Sequence, residues 1–212
     1  MVRGIMDNGY DLYLSLQKLD LLKDSPQYWW PNAYTFEVLV GAILTQNTQW
    51  TRVELSLDNL RQNHILSLEK LAGAEMELVI ECIRPCGFYK AKSKNIQTLC
   101  QHIISDFGDF ETFQIEVSRE WLLSQRGIGE ESADAILCYG CKRNTMVVDK
   151  YTQQLVSALG VEFESYEVLQ DWCMEGFIRE SSQYEFVLFH GMIVEYMKKH
   201  KKGKKIDIEP LL

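Results

Sequence analysis

The chain has 212 residues, of which 46% are hydrophobic and 25% charged, and its net charge is −8 at neutral pH. These values are typical of a globular protein with one large or two small domains, and they exclude a disordered or collagen-like chain. No apolar run approaches the roughly 18 residues that cross a bilayer, and the first residues lack the apolar stretch of an export signal. We therefore expect a cytoplasmic protein without a membrane partner.

Helical periodicity dominates the sequence, with apolar residues at intervals of three and four and no convincing alternation of the strand type. The pattern predicts an all-α protein of about nine or ten helices, including continuous helical stretches over residues 36–60 and 68–83. Gly, Pro, Asn or Asp interrupt the pattern at residues 25–31, 85–87, 108, 126–129 and 144. The chain is expected to be compact throughout.

Positive charge is concentrated in two segments despite the negative total. Lys90, Lys92 and Lys94 lie close together, and residues 198–205 read KKHKKGKK. The first group is interpreted as a local basic patch for nucleic acid. The second is equally compatible with a DNA contact and with a solvated, disordered end.

Six cysteines are expected to be small buried hydrophobic residues in a reducing compartment. Cys138 and Cys141 form a CxxC pair, but no second pair lies at zinc-like spacing, so no metal is expected on thiolates. The six are Cys82, Cys86, Cys100, Cys138, Cys141 and Cys173.

The most informative segment is WLLSQRGIGEESADAILCYG, residues 121–140, in which two helical patterns flank a G-x-G turn. Gly127 and Gly129 permit a tight turn and let main-chain N–H groups approach an anion, and the next helix adds the positive end of its dipole. A plain helix-to-helix turn is the alternative. If the turn binds phosphate, Arg126, Gly127, Ile128 and Gly129 are its contacts.

Asp149 follows this hairpin in the segment NTMVVDKYTQQL, where an acid could simply cap the next helix. Taken together, however, L-x-x-x-G-I-G and V-V-D resemble the hairpin and catalytic aspartate of the endonuclease III superfamily of base-excision glycosylases. The resemblance implies double-stranded DNA as partner and Asp149 as the catalytic residue.

Two further segments match in the same order. GAILTQNTQW is similar to the turn whose polar residue fills the gap left by a flipped base, which implies Gln46, or Asn47 in the other register. RPCGFYKAKSKNI is similar to the segment whose bulky residue enters the opposite strand, here Phe88.

Two departures from the superfamily pattern bear on the chemistry. Superfamily members that also cleave the DNA backbone carry a lysine nucleophile at the position where this chain has Glu131. The iron-sulfur cluster of endonuclease III requires four closely spaced cysteines near the C-terminus, and here Cys173 alone follows Cys141. The resemblance thus implies a monofunctional glycosylase without a cofactor, in which Asp149 stabilises the cationic sugar and orients water.

Aromatic residues indicate the substrate. The WWPN, TQNTQW and CGFYKAK segments, together with the hairpin, resemble the bacterial 3-methyladenine DNA glycosylases of this superfamily, the branch without an iron-sulfur cluster. The resemblance implies that Trp29, Trp30, Pro31 and Trp50 line the base pocket. An N3- or N7-alkylated purine carries positive charge, which indoles attract by stacking and cation-π contact. Core or hinge positions are the alternative for these aromatics.

The implied architecture is two helical lobes flanking a DNA-binding and base-binding cleft. The interior lobe would span residues 34–135, and the second lobe would combine residues 1–33 with 136–212. The family also implies a monovalent cation on the main-chain carbonyls of Gln125 and Gly127, and a monomer acting on alkylated duplex DNA.

Two other functions fit the sequence. A mismatch glycosylase would remove adenine or thymine opposite a wrong partner, but it would need acidic or amide groups at the base edge rather than indoles. A noncatalytic module would use the hairpin alone, and Asp149 would then be unnecessary. His190 is expected to be a satisfied core histidine and Lys150 a solvated or phosphate-facing charge, so neither is assigned a catalytic role.

Overall fold

The computed structural model of the protein describes residues 6–177 and 183–212, and their regular structure is almost entirely α-helical. The predicted all-α fold is confirmed. The chain divides into a central unit, Asn32–Lys142, and a terminal unit built from Met1–Pro31 and Arg143–Leu212. Residues 1–5 and 178–182 of the predicted second lobe lie outside the described residues.

The central unit follows helix α1 (Gly9–Gln17) and holds eight α-helices. They are α2 (Phe36–Leu44), α3 (Trp50–Gln62), α4 (Leu68–Gly73), α5 (Met76–Ile83), α6 (Tyr89–Phe107), α7 (Phe110–Glu116), α8 (Arg119–Ser124) and α9 (Glu130–Ala135), and α9 continues into a π-helical turn (Ile136–Gly140). Ser or Asp side chains cap three of these helices, α4, α7 and α8, by accepting a main-chain N–H, and Thr35 does the same for α2. The polar residues between the apolar runs therefore set where several helices begin.

Helix α2 forms the core of the central unit. Every residue from Val38 to Leu44 is buried, so this helix is apolar all round rather than amphipathic. Gly140 of the π-helical turn packs against it, since a Cβ there would meet Val38 Cγ1 at 3.7 Å. Truncation of Ile43 to alanine in such a core costs about 2–5 kcal/mol of stability.

The predicted continuous helices over residues 36–60 and 68–83 are wrong, because each is broken once. Residues 45–49 separate α2 from α3, and Asn47 in that turn adopts a left-handed φ of 53°. Ala74 and Glu75 are extended and separate α4 from α5. Periodicity misses such breaks because the apolar spacing resumes on the far side of the turn.

The terminal unit combines α1 with the helices that follow the central unit. These are α10 (Lys150–Ala158), α11 (Tyr166–Met174) and α12 (Gln183–His200). An aromatic cluster joins α1 to α12, with Tyr13 and Phe189 in an edge-to-face contact at 5.8 Å. Gly9 lies so close to the Cys173 main chain that a Cβ would overlap it, which fixes the approach of α1 to α11.

The C-terminal lysine run is folded, and the expectation of a chain without strands is wrong at this place. Strand β1 (Lys201–Lys202) pairs antiparallel with β2 (Lys205–Ile206), and Gly203 supplies the left-handed turn at φ 63°. Lys201 Nζ donates to Gln154 Oε1 at 2.7 Å, so the hairpin is attached to α10.

All six cysteines are buried free thiols, as expected. Burial raises the pKa of Cys100 to about 12, which keeps that thiol protonated and a poor metal ligand. Within residues 6–177 and 183–212, no helix is long and apolar enough to cross a membrane.

Candidate functional site

The predicted G-x-G hairpin joins α8 to α9 in the central unit. Gly127 has φ 82°, a conformation that favours glycine, and a Cβ there would displace the Asn95 amide. Gly129 is extended and precedes the first residue of α9. Arg126, Gly127 and Gly129 are exposed, whereas Ile128 is buried beneath the turn.

An ion pair holds the two hairpin helices together. The Arg119 guanidinium donates to both carboxylate oxygens of Asp134, at 3.0 and 3.1 Å, and the Asp134 side chain is fully buried. Glu130 and Glu131 occupy the first turn of α9. A phosphate at this turn would therefore be bound by main-chain N–H groups and not by net positive charge.

Residues 45–48 form a turn at the end of α2, here called the plug turn. Gln46 Nε2 donates to the Gly127 carbonyl at 2.8 Å and to Ser132 Oγ at 2.9 Å, which ties the plug turn to the hairpin. Asn47 is exposed and has a positive φ. The structure thus brings Gln46 to the hairpin, while Asn47 stands at the tip of the turn.

Residues 86–88 form a second turn, here called the wedge turn, immediately before α6. Phe88 is 78% exposed although it is large and apolar, and its φ of 45° is left-handed. This exposure leaves Phe88 accessible to a partner, and its contact with the opposite DNA strand stays a prediction.

Lys92 corrects the predicted surface patch, because it is buried whereas Lys90 and Lys94 are exposed. Its ammonium group donates to the carbonyls of Leu44 and Gln46, each at 2.9 Å. Residues two apart on a helix lie on different faces, and Lys92 shares the buried face of α6 with Ile96 and Leu99, four and seven positions later. The helical spacing of this segment could have separated Lys92 from Lys90 and Lys94.

The carbonyls predicted to hold a monovalent cation already accept hydrogen bonds. Gln125 O accepts from Ile128 N at 3.2 Å, and Gly127 O accepts from Gln46 Nε2 at 2.8 Å. Each oxygen keeps a second lone pair, so both carbonyls could also bind a monovalent cation. Such an ion would add positive charge beside the turn. The cation itself stays a prediction.

Asp149 precedes α10 in the terminal unit, and its two carboxylate oxygens have different partners. Oδ1 accepts from Thr152 N at 2.8 Å and from Thr152 Oγ1 at 2.9 Å, which caps the helix. Oδ2 lies 3.7 Å from His190 Nε2. Burial opposes ionisation of Asp149, but His190 and the Thr152 donors outweigh it and lower the pKa of the carboxyl below its ordinary value. The carboxylate is therefore charged at neutral pH, with one oxygen anchored and the other beside an imidazole.

His190 is buried as expected, but it contacts the candidate catalytic carboxylate, a role that sequence reasoning missed. It also meets the Trp29 ring edge-to-face at 5.2 Å. These residues are far apart in the chain, and a lone histidine in an apolar helix carries no sign of its partner. Lys150 is exposed at the first position of α10.

Trp29 is held in place by α12. Its indole Nε1 donates to Glu195 Oε1 at 3.0 Å, and a Cβ on Gly191 would lie 2.6 Å from Trp29 Cγ. Trp29 is partly exposed with a left-handed φ of 56°, while the adjacent Trp30 is 7% exposed and meets it edge-to-face. Pro31 ends this segment of the terminal unit, whereas Trp50 begins α3 in the central unit.

Comparisons with known proteins agree with these features. Residues 40–174 match the HhH-GPD superfamily base excision DNA repair proteins. A relative from Methanocaldococcus jannaschii, provisionally named a DNA repair glycosylase, is 33% identical over 207 residues, covering 94% of this chain and 93% of that protein.

Solved structures give the same result. The 3-methyladenine DNA glycosylase of H. pylori, determined bound to 1,N6-ethenoadenine, is 43% identical with a TM-score of 0.87, covering 92% of this chain and 99% of that chain. A non-covalent endonuclease III–DNA complex is 19% identical with a TM-score of 0.77, covering 97% and 94%, and shares the fold. The chain belongs to the HhH-GPD superfamily of base excision DNA repair proteins and is a DNA glycosylase, as the sequence motifs predicted.

Proposed function

We propose that the protein is a monofunctional glycosylase that removes alkylated purines, chiefly 3-methyladenine, from double-stranded DNA as a monomer without a cofactor. The observation that carries the proposal is the Asp149 carboxylate, with Oδ1 anchored by Thr152 and Oδ2 3.7 Å from His190. A carboxylate kept ionised in a largely buried position is suited to stabilise a cationic sugar and to orient an attacking water.

DNA engagement in this proposal uses the central unit. The hairpin binds a backbone phosphate through main-chain N–H groups, Phe88 unstacks the bases, and Gln46 or Asn47 fills the gap left by the flipped nucleotide. The exposure of Phe88 and the hydrogen bond between Gln46 and the hairpin support these three roles.

Recognition of the base is assigned to the indoles. A methylated purine is cationic, so stacking on Trp29 gains both dispersion and cation-π attraction, about 0.5–2 kcal/mol beyond what a neutral purine gains. Trp30, Pro31 and Trp50 are proposed to complete the pocket. The alkylated base is already an activated leaving group, so the reaction requires no strong general acid. The neighbour from H. pylori, whose structure holds an etheno-modified adenine, supports a modified purine as the substrate class.

Hydrolysis without strand cleavage follows from Glu131, which stands where the lyase members of the family carry their lysine nucleophile. Water then attacks the sugar, and the product is an abasic site in an intact strand.

The test is a panel of duplexes incubated with the wild-type protein, one methylated and others with adenine or thymine opposite a wrong partner. Free bases are identified by chromatography, strand breaks by denaturing gel, and covalent complexes by borohydride trapping. The proposal predicts 3-methyladenine release with no breaks and no trapped complex. Base release from the mismatched duplexes alone would establish the mismatch alternative. A covalent complex trapped by borohydride would overturn the monofunctional assignment. No base release from any duplex would indicate a noncatalytic module.

A further inference from the structure

One face of helix α6 meets all three segments assigned to DNA engagement. Phe88 immediately precedes the helix, Lys92 follows four positions later and Asn95 three positions after that, a spacing that places them along one side. Phe88 is the tip of the wedge turn, Lys92 contacts the plug turn, and Asn95 packs against Gly127 of the hairpin.

The Lys92 ammonium group lies between the plug turn and the wedge turn. It donates to Gln46 O at 2.9 Å and to Thr48 Oγ1 at 2.8 Å in the plug turn, and to Cys86 O at 3.3 Å in the wedge turn. Thr48 Oγ1 in turn lies 2.7 Å from Cys86 O. The two turns are therefore joined through one ammonium group and one hydroxyl.

Burial of the Lys92 ammonium group is costly by itself. The Lys92 side chain is 4% exposed, and its hydrogen-bond partners are neutral carbonyls and a hydroxyl. Burial lowers the pKa of Lys92, which reflects the cost of removing the ammonium group from water. A methionine would fill similar space without that cost but would leave the carbonyls of Leu44, Gln46 and Cys86 without this donor, so what the lysine supplies is the link between the segments that carry them.

Both turns hold a non-glycine residue in the left-handed region, Asn47 at φ 53° and Phe88 at φ 45°. Such conformations are unfavourable and persist where surrounding contacts determine them. The main-chain acceptors of Lys92, Gln46 O and Cys86 O, lie within two residues of these strained positions.

We propose that Lys92 is a positioning residue that locks the plug turn and the wedge turn into one rigid unit, so that base flipping and gap filling occur together. The proposal rests on the proposed roles of these turns in the glycosylase. Lys92 touches neither the base nor the sugar in this account; it acts through Gln46 and Phe88.

The test compares Lys92→Met with Thr48→Val, which removes the bridging hydroxyl but keeps the shape, and with Thr48→Ser, which keeps the hydroxyl. Lys70→Met on α4 removes one exposed charge and controls for electrostatics. Unstacking is followed by the fluorescence of 2-aminopurine placed beside an abasic analogue in a duplex. Base release is followed at saturating protein, and folding by circular dichroism.

We expect Lys92→Met to bind duplex DNA within about threefold of wild type but to lose the fluorescence rise and about 100-fold of the saturating release rate, as a misplacement near 1 Å can cause. Thr48→Val should lower the saturating release rate about tenfold. The double variant that combines Lys92→Met with Thr48→Val should resemble Lys92→Met alone, because both changes break one network. Lys70→Met should match wild type, and Thr48→Ser, which keeps the hydroxyl, should release base faster than Thr48→Val.

An unchanged fluorescence rise in Lys92→Met would overturn the proposal. If Lys92→Met fails to fold, Thr48→Val decides: wild-type unstacking and release in that variant would refute the proposal. The unstacking signal requires no base release, so wild type that unstacks but releases nothing would contradict the proposed substrate and leave the role of Lys92 standing.

Discussion

Substitution of Gly191 by alanine should displace the indole that we assign to base stacking. The new Cβ would lie 2.6 Å from Trp29 Cγ, 2.9 Å from its Cβ and 3.0 Å from its Cδ1, where ordinary contacts begin at 3.4 Å. Trp29 would have to move by about 0.8 Å, the difference between the 3.4 and 2.6 Å distances, and this movement strains its hydrogen bond to Glu195.

The stability change follows from opposing contributions. Overpacking costs about 1–3 kcal/mol, and weakening a hydrogen bond to a carboxylate costs about 1.5 kcal/mol more. Alanine returns up to about 1 kcal/mol through its higher helix propensity. The net loss is about 2 kcal/mol, which lowers Tm by about 4–8 °C in a chain of this size.

The assay measures thermal unfolding, duplex affinity and the single-turnover release of methylated base. Gly191→Ala should bind duplex DNA normally and release base about 100-fold more slowly, since the stacking surface is displaced by nearly 1 Å. Gly73→Ala is the matched control, because it makes the same change at a helix end with nothing within 4 Å of the added carbon. Wild-type stability and release in Gly191→Ala would refute the assignment of Trp29.

Two further predictions concern charge. His190→Leu removes a group that lowers the pKa of Asp149, while burial, which raises that pKa, remains. Activity requires the carboxylate and is lost as pH falls through its pKa, so the acid limb of the release profile should move to higher pH. An unmoved limb would exclude His190 as the cause. Arg119→Met leaves the buried Asp134 carboxylate without its guanidinium and should cost about 3 kcal/mol in denaturant unfolding. Arg84→Met, at the exposed pair with Glu81, should cost far less. Equal losses in the two arginine variants would contradict this reasoning.

The sequence predicted features whose physical cause is local. The φ of Gly127 favours glycine, its neighbour Asn95 lies close by, and the G-x-G spacing predicted the tight turn. The helical class followed from apolar periodicity, and the burial of all six cysteines followed from their chemistry. Family membership followed from the order of motifs rather than from any single one.

Features that depend on tertiary contacts were missed. The helical spacing places Lys92 on the apolar face of α6 with Ile96 and Leu99, but no local pattern shows that its ammonium group contacts both turns. His190 contacts Asp149 because α12 lies beside the start of α10, which no local pattern records. The C-terminal lysines form a hairpin through Gly203 and attachment to α10, whereas charge alone was equally compatible with a DNA contact and with a solvated end.

Asp149→Asn provides the most direct test of the central claim. Asparagine caps helices as well as aspartate does, so the fold and duplex binding should be preserved while the negative charge is lost. A carboxylate about 4 Å from a cationic sugar contributes about 4 kcal/mol at an effective dielectric of 20, so single-turnover release of 3-methyladenine should fall about 1000-fold. Release within tenfold of wild type by a folded, DNA-binding Asp149→Asn protein would contradict the catalytic role of Asp149 and the mechanism built on it.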